Sequence, residues 1–221
     1  MNRRQKKKRT LKYTIGTAKI RRRNKRLCER YPFLIPRNDF TDKISFFDKR
    51  YSYTLADDFP KGWWKSFGIM LCEELREDLI KHNFLYEYRI VQIKEKFGEL
   101  RIYDNGVPTG SKAWDIIRKY THLSSNICIS CGKPDVPMIG RGWFMPECFE
   151  CYKKNESYFY KKKEAEPDWA TEYLKGTSPE DNGKMPNEVM YSRYENGEWV
   201  KYVEDISETA EKIRNNWSMR R

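Results

Sequence analysis

Histidine is scarce in this chain: its 221 residues hold two, His82 and His122. Neither the His-rich metal centre of a nuclease nor a Ser-His-Asp relay is easily assembled from so few. Phosphate loops are missing as well, with no G-x-x-x-x-G-K-[ST] and no G-x-G-x-x-G, and no H-x-E is paired with the P-C-x-x-C that zinc deaminases require. Together these gaps make an enzyme the weakest class. No apolar run approaches the roughly 20 residues of a membrane helix, and the basic start is not followed by the apolar core of a secretory signal. The expectation is a cytoplasmic, non-enzymatic protein with no membrane partner.

Acid is also missing, but in one place. Residues 1–30 carry 14 Lys and Arg against a single acid, Glu29, whereas the other 191 residues carry 30 basic and 31 acidic groups. The formal charge of +12 is therefore the charge of an arm, not of the whole chain. Blocks of like charge repel themselves apart without a partner, so the arm is expected to be disordered until something acidic binds. Arg3, Arg4, Lys6, Lys7, Lys8, Arg9, Arg21, Arg22, Arg23, Lys25 and Arg26 are the candidate contacts to nucleic acid, DNA or RNA, gripping phosphates without reading sequence.

What the chain does have is a globular composition, 38% hydrophobic and 15% aromatic, and four cysteines in two C-x-x-C pairs. Cys128/Cys131 and Cys148/Cys151 are separated by 16 residues, within the spacing of a structural zinc site. Two intervening residues let a tight knuckle turn both thiolates to one ion, and Gly132 suits the positive φ with which such a knuckle ends. Four thiolates close the tetrahedral shell and leave no position for substrate, so the zinc would be structural. A redox dithiol pair and iron are the weaker alternatives, since neither pair sits in a thioredoxin-like pattern. His122, six residues before Cys128, is read as a surface or capping residue, not a ligand. Cys72 falls within a helical stripe and is expected to be buried as a small hydrophobe; Cys28 has no other cysteine near it in sequence.

Hydrophobic period places the elements. Trp63 to about His82 puts Phe67, Leu71, Leu75 and Leu79 four apart on one face of a helix. Val91 with Ile93 and Leu100 with Ile102 alternate on either side of KFGE, a hairpin pattern. SKAWDIIRKYTHL is a second helix, with Ala113, Ile116, Ile117 and Tyr120 inward. Past a charged stretch, Asn196-Gly197 signals a type I′ hairpin, and Asp205 with Glu208 starts a last helix whose buried stripe is Ile206, Ala210, Ile213 and Trp217. The expected class is α+β, with a basic arm (1–30), a helix–hairpin–helix body (31–125), a four-cysteine zinc ribbon (126–155) and a linker with a C-terminal hairpin and helix (156–221). The acidic pairs Asp57-Asp58 and Glu73-Glu74 read as solvated charge with no catalytic role. Arg141, Trp143 and Phe144, on a ribbon too small to hide them, are surface-contact candidates.

The combination PKGWWKSFGIMLCEEL, RIVQIKEKFGELRIYDNG, CISCGKP and CFEC resembles a family of uncharacterised small zinc-ribbon proteins of bacteria and their phages, particularly of Gram-positive hosts. The resemblance covers residues 31–155, and the family has Gly-Gly where this chain has Gly98-Glu99. It implies zinc on the four cysteines and a mobile-element origin, and no established activity. Three functions stay open, an enzyme of unrecognised type being the weakest. The first is a nucleic-acid or nucleoprotein binder working through its arm. The second is a protein-binding modulator or inhibitor of a host nucleoprotein machine, such as a polymerase or an antiviral CRISPR effector.

Overall fold

The computed structural model of the chain describes residues 3–38, 41, 43–44, 51–140, 144–159, 183–195 and 198–220. Among these the architecture is mixed: helices together with three two-stranded antiparallel sheets. The chain forms two compact units, one of Met1–Asp58, Cys72–Ile93 and Ile102–Ala113, the other of Phe59–Leu71, Lys94–Arg101 and Trp114–Arg221.

The first unit begins with a single helix, α1, over Arg3–Arg30. This differs from the disordered arm that its charge suggests. Lys, Arg, Leu and Gln are good helix formers, Gly16 is the weakest position, and proline is absent from the segment. The last turns of α1 also belong to the folded unit. Asn24 and Cys28 are buried, and Arg23 donates to Asp57 at 2.5 Å. Asp57 also closes a capping box with Thr54 at the short 3₁₀ turn Leu55–Asp57. Arg30 and Tyr31 both donate to Glu73 Oε1 at 2.5 Å. The Tyr31 hydroxyl is pushed up to about 12, by burial first and then by its bond to Glu73. Burial works against the Glu73 carboxylate, but the bonds from Arg30 and Tyr31 outweigh it and hold the group below the usual carboxylate range. Asp57 and Glu73 are thus structural anchors, not the solvated charges their sequence context suggests. Phe33 and Leu34, from the 3₁₀ turn Pro32–Leu34, are fully buried with Leu75, Leu79 and Tyr88, and the Phe33 and Tyr88 rings meet edge to face at 5.9 Å.

In the second unit α2 (Lys61–Trp63) continues through a π turn, Trp64–Gly68, into α3 (Ile69–Lys81), which also supplies residues to the first unit. Phe67, Leu71, Leu75 and Leu79 are all buried, as their spacing predicts, and Cys72 beside them is fully buried. Phe67 stacks on Tyr120 at 5.3 Å, from α4 (Ala113–Ser124). Ser124 Oγ accepts the Leu100 N–H at 2.8 Å, and Thr121 Oγ1 donates to the Leu100 carbonyl at 3.0 Å. That fixes the end of the hairpin formed by β1 (Ile90–Lys96) and β2 (Glu99–Asp104).

The period-two reading fails in β1, where Ile90 and Ile93 are buried and Val91 is exposed. A two-stranded ribbon twists strongly, which rotates alternate positions out of one plane. The turn is tight, with Phe97 at φ +55° and Gly98 at φ +79°. Further along, β5 (Glu188–Glu195) pairs with β6 (Glu198–Asp205) in a register that sets Glu195 opposite Glu198. The Asn196-Gly197 turn itself lies outside the described residues. The C-terminal helix Ser207–Ser218 buries Ala210 and Ile213, and Asp205 Oδ1 accepts the Ser207 N–H at 2.8 Å. Glu208 pairs with Lys212 at 2.6 Å instead of completing a capping box.

The Glu73 anchor has a pH signature. Its folded carboxyl sits below its unfolded value near 4.3, so folding releases a proton there and the stabilisation fades as pH falls through the folded pKa. Replacing Glu73 with Gln is expected to lower the urea midpoint at pH 7 and to shrink the gap from wild type between pH 5 and pH 3. A gap that stays constant with pH would show that the carboxylate is not the stabilising species.

Candidate metal centre

The four cysteines converge from two local structures joined by a hairpin. The knuckle Cys128–Cys131 turns through Gly132 at φ +86°, with Gly132 N–H on the Cys128 carbonyl at 2.9 Å and Cys128 N–H on the Lys133 carbonyl at 2.8 Å. A short hairpin of β3 (Met138–Gly140) and β4 (Phe144–Pro146) follows, Met138 opposite Pro146. The second pair does not sit in another turn of strand. Cys148 immediately precedes α5 (Phe149–Phe159), and Cys151 lies in its first turn. The Ile129 N–H bonds to the Pro146 carbonyl at 2.9 Å, which sets the knuckle against the hairpin's return strand.

The Sγ atoms of Cys128, Cys131, Cys148 and Cys151 all lie within 4.8 Å of one another, and Cys131 and Cys148 are 3.7 Å apart. All four are free thiols. A zinc–sulfur bond of about 2.3 Å in a tetrahedron places sulfurs roughly 3.8 Å apart, so the donor set fits such an ion in number, chemistry and span. The electrostatics point the same way. Burial opposes the Cys128 thiolate, but backbone N–H groups of Cys148, Cys131 and Ser130 outweigh it and pull its pKa below the ordinary thiol value. Burial and the negative charge of Cys128 push Cys148 up, and they push Cys151 up to about 12. One thiolate forms readily and discourages the next, a conflict that a dication removes. The first turn of α5 adds a partial positive charge beside Cys148 and Cys151. His122 is outside the cluster; the four cysteines are its members among the described residues.

What supports the knuckle from beneath was not evident in the sequence. Gly62 N–H bonds to the Ile129 carbonyl at 2.9 Å, and a Cβ at Gly62 would come within 2.1 Å of the Cys128 carbonyl oxygen. The knuckle backbone therefore rests directly on the backbone of α2. Beside it, Trp63 is fully buried and its indole N–H donates to the Ile127 carbonyl at 2.7 Å. Asp135, at φ +52°, receives Nε and Nη2 of Arg214 at 2.8 and 3.0 Å and the Met185 N–H at 2.8 Å. These bonds tie the C-terminal helix to the loop after the knuckle. A glycine inside a helical pattern was the available signal for Gly62; Asp135 and Arg214, 79 residues apart, left none.

The other candidate residues divide. Phe144 is 55% exposed, while Arg141 and Trp143 lie outside the described residues. Arg3, Arg4, Lys6, Lys7, Lys8 and Arg9 are on the first turns of α1. Arg21, Arg22, Lys25 and Arg26 are exposed further along it, whereas Arg23 is held by Asp57. Comparison with protein families, with curated proteins and with solved structures finds none similar to this chain.

Purified protein is expected to release one zinc per chain when its thiols are blocked by a mercurial, read with a colorimetric chelator, and Cys148→Ser to release none. Because structural zinc contributes on the order of 10 kcal/mol in small domains, chelation should also abolish the cooperative thermal transition of the second unit. Gly62→Ala leaves every ligand in place yet forces the knuckle off α2. It is expected to lower zinc affinity tenfold or more, on the scale of about 10–100-fold for groups that position ligands; affinity equal to wild type would refute the supporting role of the contact.

Proposed function

We propose that this is a non-enzymatic, cytoplasmic protein that binds nucleic acid or a nucleoprotein complex through α1, with a helix–hairpin–helix body and a four-cysteine zinc ribbon as its scaffold. The observation that carries the reading is the segregation of charge. Fourteen basic residues and one acid fall in the first 30 positions, 28 of which form one helix. Cations in the first turn of a helix oppose its dipole, so α1 gains doubly from an anionic partner. If zinc fills the cysteine cluster, its closed shell assigns it to structure and leaves recognition to surfaces beside it.

A second reading, a protein-binding modulator of a host nucleoprotein machine such as a polymerase or CRISPR effector, is favoured by a different surface. On one face of β5–β6, Met190 is 77% exposed, its cross-strand partner Val203 60% and Trp199 72%. Apolar groups so grouped on a ribbon suit a protein contact.

Titration of a duplex DNA against salt, read by fluorescence anisotropy, tests the first reading. Each neutralised phosphate contributes about −0.9 to the slope of log K against log salt, so changing Arg3, Arg4, Lys6, Lys7, Lys8 and Arg9 to Gln is expected to make the slope shallower by about 5. An unchanged slope would overturn the role of the segment. A stoichiometric protein partner that survives nuclease and high salt in a pull-down would favour the second reading.

A further inference from the structure

The last two turns of α1 are one-sided: Asn24 and Cys28 are buried, and the residues around them are not. Before Asn24 that asymmetry disappears. Ala18, Lys19, Ile20, Arg21, Arg22 and Arg23 are six consecutive exposed residues, and six residues carry a helix through more than one full turn. Every side of α1 at this level therefore faces water, with Ile20 itself 44% exposed. Lys19, Arg21 and Arg22 have no ion pair among the described residues. Arg23 is held by Asp57, and Nδ2 of the buried Asn24 donates to the Tyr51 carbonyl at 3.1 Å. The base of the helix is thus fixed, and with it the direction in which the exposed part leaves the unit.

Helical register carries the pattern further. Lys6, Lys7, Lys8 and Arg9 occupy four consecutive positions, one full turn, so the basic positions encircle the axis instead of sharing a stripe. The apolar positions form no stripe either. Leu11, Ile15 and Ala18 fall on one side, but Arg4, Lys8 and Arg22 fall on that side too, and Tyr13 and Ile20 fall opposite. A helix lying on a membrane needs one apolar face against the acyl chains, and a helix docked in a protein groove needs one against the groove. A helix basic on all sides is matched instead by a channel with anionic walls on both flanks.

The two phosphate backbones of a duplex are such walls. A helix with its side chains is about 10–12 Å across, and the major groove of B-form DNA is about 12 Å wide. The minor groove, at about 6 Å, is too narrow, and the major groove of A-form RNA is too deep and narrow to admit side chains. A single strand has one backbone and encloses nothing. Residues 3–22 extend about 30 Å at about 1.5 Å per residue, long enough to meet both backbones across the groove. We infer that α1, from Arg3 to Arg22, lies in the major groove of B-form duplex DNA, its basic positions facing the phosphates of both strands. The inference rests on the nucleic-acid reading above and names the ligand as duplex DNA and its seat as the major groove.

The test uses full-length, zinc-loaded protein at one fixed salt concentration and three fluorescein-labelled probes of one sequence and length: duplex DNA, duplex RNA and single-stranded DNA. Duplex DNA is expected to bind about tenfold or more tighter than either of the others; charge alone predicts no gap between the duplexes, because duplex RNA carries as many phosphates. Glucosylated 5-hydroxymethylcytosine, which fills the major groove, should weaken duplex DNA binding about tenfold or more, whereas netropsin, which fills the minor groove, should not compete. Ala18→Pro keeps every charge and breaks the helix at an exposed position. It should cost about tenfold or more in duplex affinity with the thermal midpoint unchanged. If duplex RNA or the glucosylated duplex binds as tightly as plain duplex DNA, while the six glutamines at residues 3–9 still flatten the salt slope, the groove assignment fails and the nucleic-acid reading of α1 stands. Single-stranded DNA binding as tightly as the duplex, or netropsin competing, also overturns the groove. Ala18→Pro binding like wild type overturns the helix as the element seated there. Failure of wild type to bind any of the three probes overturns both readings.

Discussion

Four sulfurs held within 4.8 Å of one another are a demand as much as a feature. They cannot all ionise in a largely buried site without a cation, and as neutral thiols they are weak hydrogen-bonding groups that give the loops around them little reason to stay. The knuckle, the β3–β4 hairpin and the start of α5 have few apolar residues of their own: Val136 joins Cys128 and Cys148 in one small cluster, Ile139 and Tyr152 form another. Such clusters are too small to order roughly 25 residues against chain entropy. A dication on the thiolates would convert this segment into a fixed point, and Gly62, Trp63 and Asp135 connect the cluster to the rest of the second unit.

The cysteine set was legible because its signal is local. Two pairs at the right spacing imply convergence whatever the intervening loop does. The same holds for Phe67, Leu71, Leu75 and Leu79, whose four-residue spacing describes one face of a helix without reference to any neighbour. The mixed α and β class followed from the change of period along the chain. Val91 shows the limit of that reasoning: alternation assumes a flat strand, and a two-stranded ribbon is not flat.

What remained illegible was set by long-range approach or by pairing. Gly62 is a glycine because another stretch of backbone lies where its Cβ would be, which no local pattern encodes. Glu73 looked like part of a polar face, and its role depends on Arg30 and Tyr31, more than 40 residues earlier. The basic segment illustrates the opposite error. Charge density argued for disorder, yet helix propensity favours order, and Asn24 and Cys28 bury themselves on one side of α1. Cys148 and Cys151 were readable as members of one cluster with Cys128 and Cys131, but not as the opening of a helix.

The separation between Trp63 and its partner also has a temporal meaning. The Ile127 carbonyl that accepts the indole N–H is 64 positions later in the chain. At a synthesis rate of about 5–20 residues per second, Trp63 joins the chain roughly 3 to 13 s before that carbonyl does, and the knuckle whose backbone covers Gly62 comes later still. During that interval the nascent helix carries an uncovered aromatic ridge of Trp63 and Phe67. Whatever shelters it in the meantime, a chaperone or a provisional collapse, must let go once the cysteines emerge.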